Sequence, residues 1–188
     1  MTTNELLKIG SNFLKQNNIK SYMIDSELIL SSVSGQNREN FLVKSELKLS
    51  KKQIKSFNDL IYRRALSKEP LAYLLSKKEF WSIELGINKD ALIPRPETEI
   101  LVDKLVKYYN DRSPFILDIG TGSGCIIISL LHEFKKSRGI AIDISNKALK
   151  IAKKNSKLND TFERIKFVNS SISNFNSFKF DLIVSNPP

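Results

Sequence analysis

The first 80 residues carry apolar side chains at helical spacing. A helix is predicted near the N-terminus, a second from Asp25 to Val33 that ends before Gly35, and a third after Ser50, which can cap it. Packing among helices explains such stripes, and a helical bundle of this size is more often a recognition module than a catalytic one. We therefore predict a helical recognition domain over residues 1–78. The stripe residues are Leu6, Leu7, Phe13 and Leu14 in the first helix and Ile54, Phe57, Leu60, Ile61 and Leu66 in the third.

The period of the pattern changes near residue 80. The stretch KEFWSIELGINKDALI alternates in the manner of strands, with Gly86 and Asn-Lys-Asp as places to turn, so a β-hairpin linker is predicted over 79–96. The segment PRPETE, Pro94 to Glu99, then breaks the chain and starts a helix. Pro96 suits a first helical turn and the glutamates suit its positive end, so this helix is predicted to run to Tyr109.

From residue 115 strands alternate with helices. Buried strands are predicted at FILDIG, GIAIDIS, RIKFVNS and FDLIVSN, with helices from Cys125 to Phe134 and from Asn146 to Leu158. Such alternation implies right-handed crossovers and a parallel sheet. The predicted fold class is therefore α/β: a helical N-terminal domain, a hairpin linker and a Rossmann-like parallel sheet over 97–188, in the strand order 3-2-1-4.

The composition is that of a globular protein. Of 188 residues, 41% are hydrophobic and 27% charged, and no apolar run approaches the roughly 20 residues of a membrane span. The N-terminus is amphipathic and does not resemble a signal peptide, so a cytoplasmic protein without membrane contact is expected. The single cysteine excludes an intramolecular disulfide and a thiolate-rich metal site, and no metal is predicted.

The net charge of +10 raises the question of a nucleic-acid partner. The charge is spread evenly, because residues 1–90 and residues 91–188 each carry 15 Lys+Arg against 10 Asp+Glu. Lysine outnumbers arginine 23 to 7, and no arginine-rich arm is present. A lysine-biased composition explains the excess at least as well, so nucleic-acid contact is the less favoured interpretation.

The segment LDIGTGSGC, Leu117 to Cys125, is the most informative loop. Its glycines follow a strand and open a helix, so the backbone can approach a ligand and the helix N-terminus can face it. A dinucleotide loop would need a glycine at 125, where cysteine stands. Asp118, two residues before the first glycine, instead favours the S-adenosylmethionine loop of Rossmann-like methyltransferases. The loop residues predicted to bind this cofactor are Gly120, Thr121, Gly122, Ser123 and Gly124.

A second carboxylate strengthens the cofactor hypothesis. Asp143 ends the next strand, 19 residues after Gly124, where it can accept hydrogen bonds from both ribose hydroxyls. The alternative is that Asp143 caps the helix that starts at Asn146. Cys125 is expected to be a small buried residue rather than a nucleophile, and His132, the single histidine, a surface residue.

The last predicted strand leads into Asn186, Pro187 and Pro188. In the order 3-2-1-4 this strand lies beside the first, so the element should lie next to the glycine loop. Prolines hold the backbone rigid, leaving carbonyl oxygens and the asparagine side chain to accept both hydrogens of a planar amino group. Its lone pair would then face a methyl sulfonium. The three residues are therefore predicted to catalyse by orientation and electrostatic matching, without a general base.

Three segments together resemble the HemK/PrmC family of release factor glutamine methyltransferases. They are EPLAYLLSKKEFWSIELGINKDALIPRPETE (Glu69 to Glu99), LDIGTGSGC and IVSNPP. The last element alone is weak, since DNA amino-methyltransferases and several RNA guanine methyltransferases share it; IPRPETE is far more specific. The resemblance implies an S-adenosyl-L-methionine-dependent enzyme, monomeric when intact. Its helical domain would hold a peptide chain release factor, and the methyl group would go to the side-chain amide of the glutamine in the Gly-Gly-Gln motif.

The resemblance also assigns residues. It implies that the loop Gly120–Gly124 and Asp143 bind the cofactor. It also implies that Asn186 and the two prolines after it bind the substrate amide, and that Asn186 lies near the cofactor as well. After the third strand the family usually has an acidic and then an aromatic residue near the adenine. Ser171 and Ile172 stand at those positions here and are predicted to take their place.

The family's asparagine-proline-proline element continues with an aromatic residue and further strands. We therefore expect the chain to be a fragment whose parallel sheet ends on a strand that is central in the intact enzyme, with activity belonging to the intact enzyme. Two other interpretations stay open. One is a nucleic-acid amino-methyltransferase, and the other is an inactive remnant that binds a partner through its helical domain.

Overall fold

The computed structural model describes residues 2–38, 48–110, 112–176 and 179–187. The chain divides into two compact units, Met1–Leu75 and Ser76–Pro188. The predicted hairpin linker belongs to the second unit. The domain boundaries at 78 and 96 stay predictions.

The first unit is helical. Its helices are α1 (Thr3–Gln16), α2 (Tyr22–Ser34), α3 (Lys51–Leu66) and the short α4 (Leu71–Leu75). Local chemistry fixes their ends, because Thr2 and Ser50 form capping boxes and Gly35 ends α2 in the left-handed conformation at φ 71°. The predicted stripes line the core of this unit with one exception, since Leu66 is 62% exposed and the prediction is wrong there. The buried members of the core are Leu6, Leu14, Ile19, Ile29, Leu30, Phe57, Ile61 and Ala65.

The second unit opens with the antiparallel hairpin of β1 (Lys77–Phe80) and β2 (Ile83–Gly86). The prediction that Gly86 and the following residues form its turn is wrong: the turn is Trp81–Ser82, with φ of 51° and 58°, and Gly86 ends β2. Two consecutive positive φ values match the right-handed twist of a two-residue hairpin. Hydrogen bonds from the main chain and indole of Trp81 to Glu99 and Glu133 hold this conformation without glycine.

The rest of this unit is the predicted α/β fold. After α5 (Glu97–Tyr109), the elements alternate as β3 (Phe115–Ile119), α6 (Cys125–Glu133), β4 (Arg138–Asp143), α7 (Asn146–Leu158), β5 (Ile165–Asn169) and β6 (Leu182–Ser185). The strands form one parallel sheet in the order β5-β4-β3-β6. This is the predicted 3-2-1-4 order, and the fold class is confirmed.

Buried side chains join this sheet to its helices. Helix α6 is apolar on most sides, with residues 126–131 all buried, and β3 and β4 contribute Ile116, Leu117 and residues 140–142 to the same core. The guanidinium of Arg164 donates to the carbonyls of Leu131 and Phe134, where α6 ends. Within the described part of the chain, no helix has the length and apolar content required to cross a bilayer.

Candidate active site

The predicted site residues that the structure describes, all but Pro188, lie in one row along the carboxyl edge of the parallel sheet. The glycine loop follows β3, and Asp143 ends β4, which pairs with β3. On the other side of β3, the register pairs Ile119 with Ser185, so the chain leaves β6 at Asn186 beside the start of the glycine loop. Ser171 and Ile172 follow β5, beyond β4. A single ligand across this edge can therefore reach residues from several strands.

The loop bends on three left-handed glycines. Gly120, Gly122 and Gly124 have φ of 68°, 56° and 83°, and the amides of Gly120 and Thr121 both donate to the carbonyl of Ile142, at 2.9 and 3.0 Å. A Cβ added at Gly120 would meet no atom within 4 Å, and one at Gly122 only the Gly120 carbonyl at 3.9 Å. The first two glycines thus border open space, where a ligand can approach the backbone.

The third glycine serves packing. A Cβ at Gly124 would lie 2.8 Å from Ile128 Cδ1 and 3.2 Å from Ala152 Cβ. Gly124 also precedes α6 and leaves its N-terminal amides pointing out of the helix. Gly124 therefore permits the close approach of α6 and α7, although it comes one position earlier than the third glycine of a dinucleotide loop.

Asp143 holds the loop and the chain after β4 together. One carboxylate oxygen accepts from the Gly122 amide at 2.9 Å and the other from the Ser145 amide at 2.8 Å. The alternative that Asp143 caps α7 is wrong: the cap is Ser145, whose hydroxyl accepts from the Ala148 amide. Each carboxylate oxygen has a further lone pair, so Asp143 can still accept from a ligand hydroxyl.

Asp118 lies beneath the loop, 1% exposed. The Thr121 hydroxyl donates to its Oδ2 at 2.7 Å, and Oδ1 has no hydrogen-bond partner among the described residues. Burial raises the pKa of Asp118 to about 6, and the charge of Asp143 adds to this rise. The Thr121 hydroxyl and the Ile127 amide act in the opposite direction and lower this pKa. The carboxyl groups of Asp118 and Asp143 make this edge of the sheet favourable for a cationic ligand.

Asn186 is exposed, but a hydrogen bond holds its side chain. Its Nδ2 donates to the Oγ1 of the buried Thr98, in the first turn of α5, at 2.9 Å. Beside it, the Ser185 hydroxyl donates to the Ile119 carbonyl at 2.9 Å and joins β6 to the end of β3. Since the amino end of the Asn186 carboxamide is engaged, its carbonyl end is the one suited to accept from a substrate. Pro187 follows, exposed, and Pro188 lies outside the described residues.

The predicted adenine positions lie farther along the same edge. The Ser171 and Ser173 hydroxyls lie 2.9 Å apart, and Ile172 is 54% exposed. Sequence reasoning missed Ile144, which directly follows Asp143 and is 79% exposed. The main chain at Ile144 is held by Asn169, whose side-chain Nδ2 donates to the carbonyls of residues 143 and 144. The available signal in the sequence is an apolar residue directly after a carboxylate that ends a strand.

Two more residues support the site without a clear sequence signal. Thr98 lies within IPRPETE, the segment that most specifically resembles the methyltransferase family, but the sequence does not indicate which residue Thr98 contacts. Asn155 in the middle of α7 is 1% exposed and bonds both to the Gly86 peptide of the hairpin and to the Ser123 carbonyl of the glycine loop. A buried asparagine in a helix interior is unusual enough to suggest a tertiary contact, but its partners depend on the fold.

Neither Cys125 nor His132 has a place in this arrangement. Cys125 is half-buried, more accessible than expected, and burial followed by the charge of Asp118 raises the pKa of its thiol to about 12, so it stays protonated. His132 is exposed on α6, as predicted. Within the described ranges, no group of three or more His, Cys, Asp or Glu side chains is arranged to hold a metal ion.

Family comparisons divide the chain in a similar way. Residues 5–75 match the family model of the PrmC N-terminal domain, and residues 96–188 match that of the methyltransferase small domain. Two similar proteins are release factor glutamine methyltransferases of Buchnera aphidicola. The one from the subspecies Schizaphis graminum is 43% identical over 87% of this chain and 59% of its own, and the one from Acyrthosiphon pisum is 41% identical over 96% and 64%.

The chain thus spans about 60% of the length of these curated relatives. Among solved structures, it resembles the tRNA m1G37 methyltransferase of M. jannaschii, with a TM-score of 0.51 and 21% identity over 60% of this chain and 34% of that one. At this identity the likeness concerns the fold, a Rossmann-like parallel sheet, and carries no information on substrate.

Proposed function

We propose, from the membership of this chain in the HemK/PrmC family of release factor glutamine methyltransferases, that the complete protein methylates a protein glutamine. The acceptor is the side-chain amide nitrogen of the glutamine in the Gly-Gly-Gln motif of peptide chain release factors, and the donor is S-adenosyl-L-methionine. One observation carries the proposal. The pairing of β3 with β6 brings the start of the glycine loop beside Asn186, at the roughly 5 Å spacing of neighbouring strands.

The residues along the sheet edge fit the proposed cofactor. Open space borders Gly120 and Gly122, and Asp143 can accept from ribose hydroxyls while it holds the Gly122 amide. Ile144, together with Ser171 and Ile172 beyond β4, supplies surface for the adenine. When bound, S-adenosylmethionine would supply an electrophilic methyl group on a positively charged sulfur, which suits the carboxylates of Asp118 and Asp143.

The substrate glutamine is proposed to bind at Asn186. Its planar amino group can donate one hydrogen to Asn186 Oδ1 and the other to a main-chain carbonyl of the asparagine-proline-proline element, Asn186 to Pro188. Both hydrogens are then fixed in the carboxamide plane, so the face of the nitrogen points at the methyl group. Orientation of this kind replaces a general base, for which neither the protonated Cys125 nor the exposed His132 is suited.

The helical unit is proposed to bind the release factor. It presents exposed apolar side chains, including Ile9, Met23 and Ile24, each just over 50% exposed, alongside its lysines. Apolar groups ringed by charge suit a protein partner. Nucleic-acid methylation is the second candidate. Its support is the net charge of +10 and the asparagine-proline-proline element, which nucleic-acid amino-methyltransferases share, but no arginine-rich arm is present.

Methyl transfer to a release factor tests the proposal. The complete protein is incubated with labelled S-adenosylmethionine and a release factor, with the same factor carrying alanine for its Gly-Gly-Gln glutamine as the matched control. Label should enter the first factor and not the second. Label in the alanine factor, or in bulk RNA or DNA in place of protein, contradicts the proposal. Calorimetry with the cofactor separates the remaining alternative, since an inactive remnant gives no heat.

A further inference from the structure

The segment IPRPETE contributes one side chain to the carboxyl edge of the sheet, that of Thr98. It leads into α5, and Thr98 in the first turn of that helix is 6% exposed. Across 88 residues of sequence, its Oγ1 accepts the Nδ2 of Asn186 at 2.9 Å. This hydrogen bond directly joins the segment to the side chain that faces the substrate amide.

The position of the Thr98 hydroxyl is well fixed. The Thr98 amide donates to the Arg95 carbonyl at 3.0 Å, which closes the turn ahead of α5. The neighbouring Glu99 accepts the main-chain amide of Trp81 at 3.0 Å, and the indole of Trp81 donates to Glu133 of α6 at 2.7 Å. The hairpin and α6 thus hold the start of α5, whereas Asn186 is exposed and needs a partner to select one orientation.

That orientation matters because a carboxamide has a donor end and an acceptor end. The amino group of the substrate amide can be bound only by the carbonyl end of the Asn186 carboxamide. If this carboxamide were turned by about 180°, its own amino group would face the amino group of the substrate, and no hydrogen bond could form. With the Thr98 hydroxyl bonded to the amino end, the carbonyl end is turned to the other side. We propose that Thr98 is a positioning residue, which holds the Asn186 carboxamide by its amino end and leaves the carbonyl end available to the substrate amide, an inference that rests on the proposed function.

The contact is tested first without catalysis. The variants are Thr98→Val, which keeps the shape and removes the hydroxyl, and Thr98→Ser, which keeps the hydroxyl. Thr161→Val is the matched control, since Thr161 is 1% exposed and its hydroxyl donates to the Ser156 carbonyl ahead of β5, at the other end of the strands. The side-chain amide signals of Asn186, identified by their loss in Asn186→Ala, are followed by NMR.

In Thr98→Val the Asn186 amide signals should shift towards those of a free carboxamide and exchange faster with water. They should stay in place in Thr98→Ser and in Thr161→Val. Unchanged Asn186 signals in Thr98→Val would overturn the proposal, whatever happens to stability. The heat of cofactor binding should be the same in Thr98→Val, Thr98→Ser and Thr161→Val, because neither Thr98 nor Thr161 is proposed to touch the cofactor.

Glutamine methylation by the complete protein gives the second measurement. Thr98→Val should lower kcat about tenfold, the value of one oriented hydrogen bond, with the KM for the cofactor unchanged and with recovery in Thr98→Ser. If wild type methylates the glutamine and Thr98→Val does so at the same rate, the positioning role fails and the proposed function stands. If wild type does not methylate it and the NMR signals change as described, the proposed function fails and the contact remains.

Discussion

Asn155 is predicted to couple the hairpin to the glycine loop. It makes three buried or partly buried hydrogen bonds: its Oδ1 accepts the Gly86 amide at 2.7 Å, and its Nδ2 donates to the carbonyls of Gly86 and Ser123 at 3.0 and 2.8 Å. Asn155→Asp keeps the volume and the acceptor but turns the amino group into an oxygen that faces two carbonyls. Asn155→Ala leaves all three main-chain groups without a partner.

The cost follows from these contacts. At about 1 kcal/mol for each lost bond, Asn155→Ala should lower the free energy of unfolding by about 3 kcal/mol, less about 0.6 kcal/mol for the better helix propensity of alanine. Asn155→Asp should cost at least as much at pH 7, since a buried carboxylate opposes two carbonyl oxygens. Part of that loss should return on acidification, when the protonated carboxyl regains a donor.

Urea unfolding followed by the fluorescence of Trp81, the single tryptophan, measures the cost. Asn159→Ala is the matched control at the residue that ends α7. The Asn159 side chain donates to the Glu84 carbonyl of the hairpin at 3.0 Å and to the main-chain carbonyl of Asn155 at 2.9 Å, and it is not bonded to the glycine loop. It should cost about 1–2 kcal/mol and leave cofactor affinity unchanged. Equal stability losses and equal cofactor affinities in Asn155→Asp and Asn159→Ala would refute the reasoning.

Two further predictions concern the loop and its buried acid. Gly124→Ala should cost roughly 2–4 kcal/mol of stability, because its φ is left-handed and the new Cβ clashes with Ile128. Gly120→Ala should cost about 1–2 kcal/mol from its left-handed φ alone, but the added methyl group occupies the open space and should weaken cofactor binding. Equal stability costs of the two variants in thermal unfolding would contradict this prediction. For Asp118, a folded pKa of about 6 against an ordinary value of 3.8 means that the folded state holds the proton more tightly. Stability is therefore full below about pH 4 and falls by about 3 kcal/mol in all as the pH rises through 6 to 7. Asp118→Asn should remove this fall, and a stability difference between variant and wild type that is the same at pH 4 and pH 7 would argue against it.

The sequence predicts those elements whose signals are local. The predicted bounds of α7, Asn146 to Leu158, match the structure because the polar cap, Ser145, directly precedes the segment and the apolar period lies within it. The strand order also followed, since alternation of strand and helix restricts the parallel sheet to few arrangements. The hairpin turn did not, because contacts with Glu99 and Glu133 stabilise a positive φ at Trp81 and Ser82 that neither residue favours alone.

The same distinction holds in the candidate site. The glycine loop and Asp143 are predicted from residue type and spacing, because each lies at the end of its own strand. Thr98 and Asn155 are not, since their partners lie 88 residues away at Asn186 and 69 residues away at Gly86. Contacts of this length exist only once the sheet and hairpin have formed, so a single sequence contains no periodic signal for them.

A crystal structure of the protein with S-adenosylhomocysteine tests the central claim most directly. The account predicts the ribose hydroxyls on Asp143, the backbone of Gly120 and Gly122 against the ligand, and the sulfur turned towards Asn186, with room between sulfur and Oδ1 for one methyl group and one carboxamide. The account would be contradicted by a ligand bound away from this edge of the sheet. It would also be contradicted by a ligand bound at this edge with its sulfur turned away from Asn186, beyond β4.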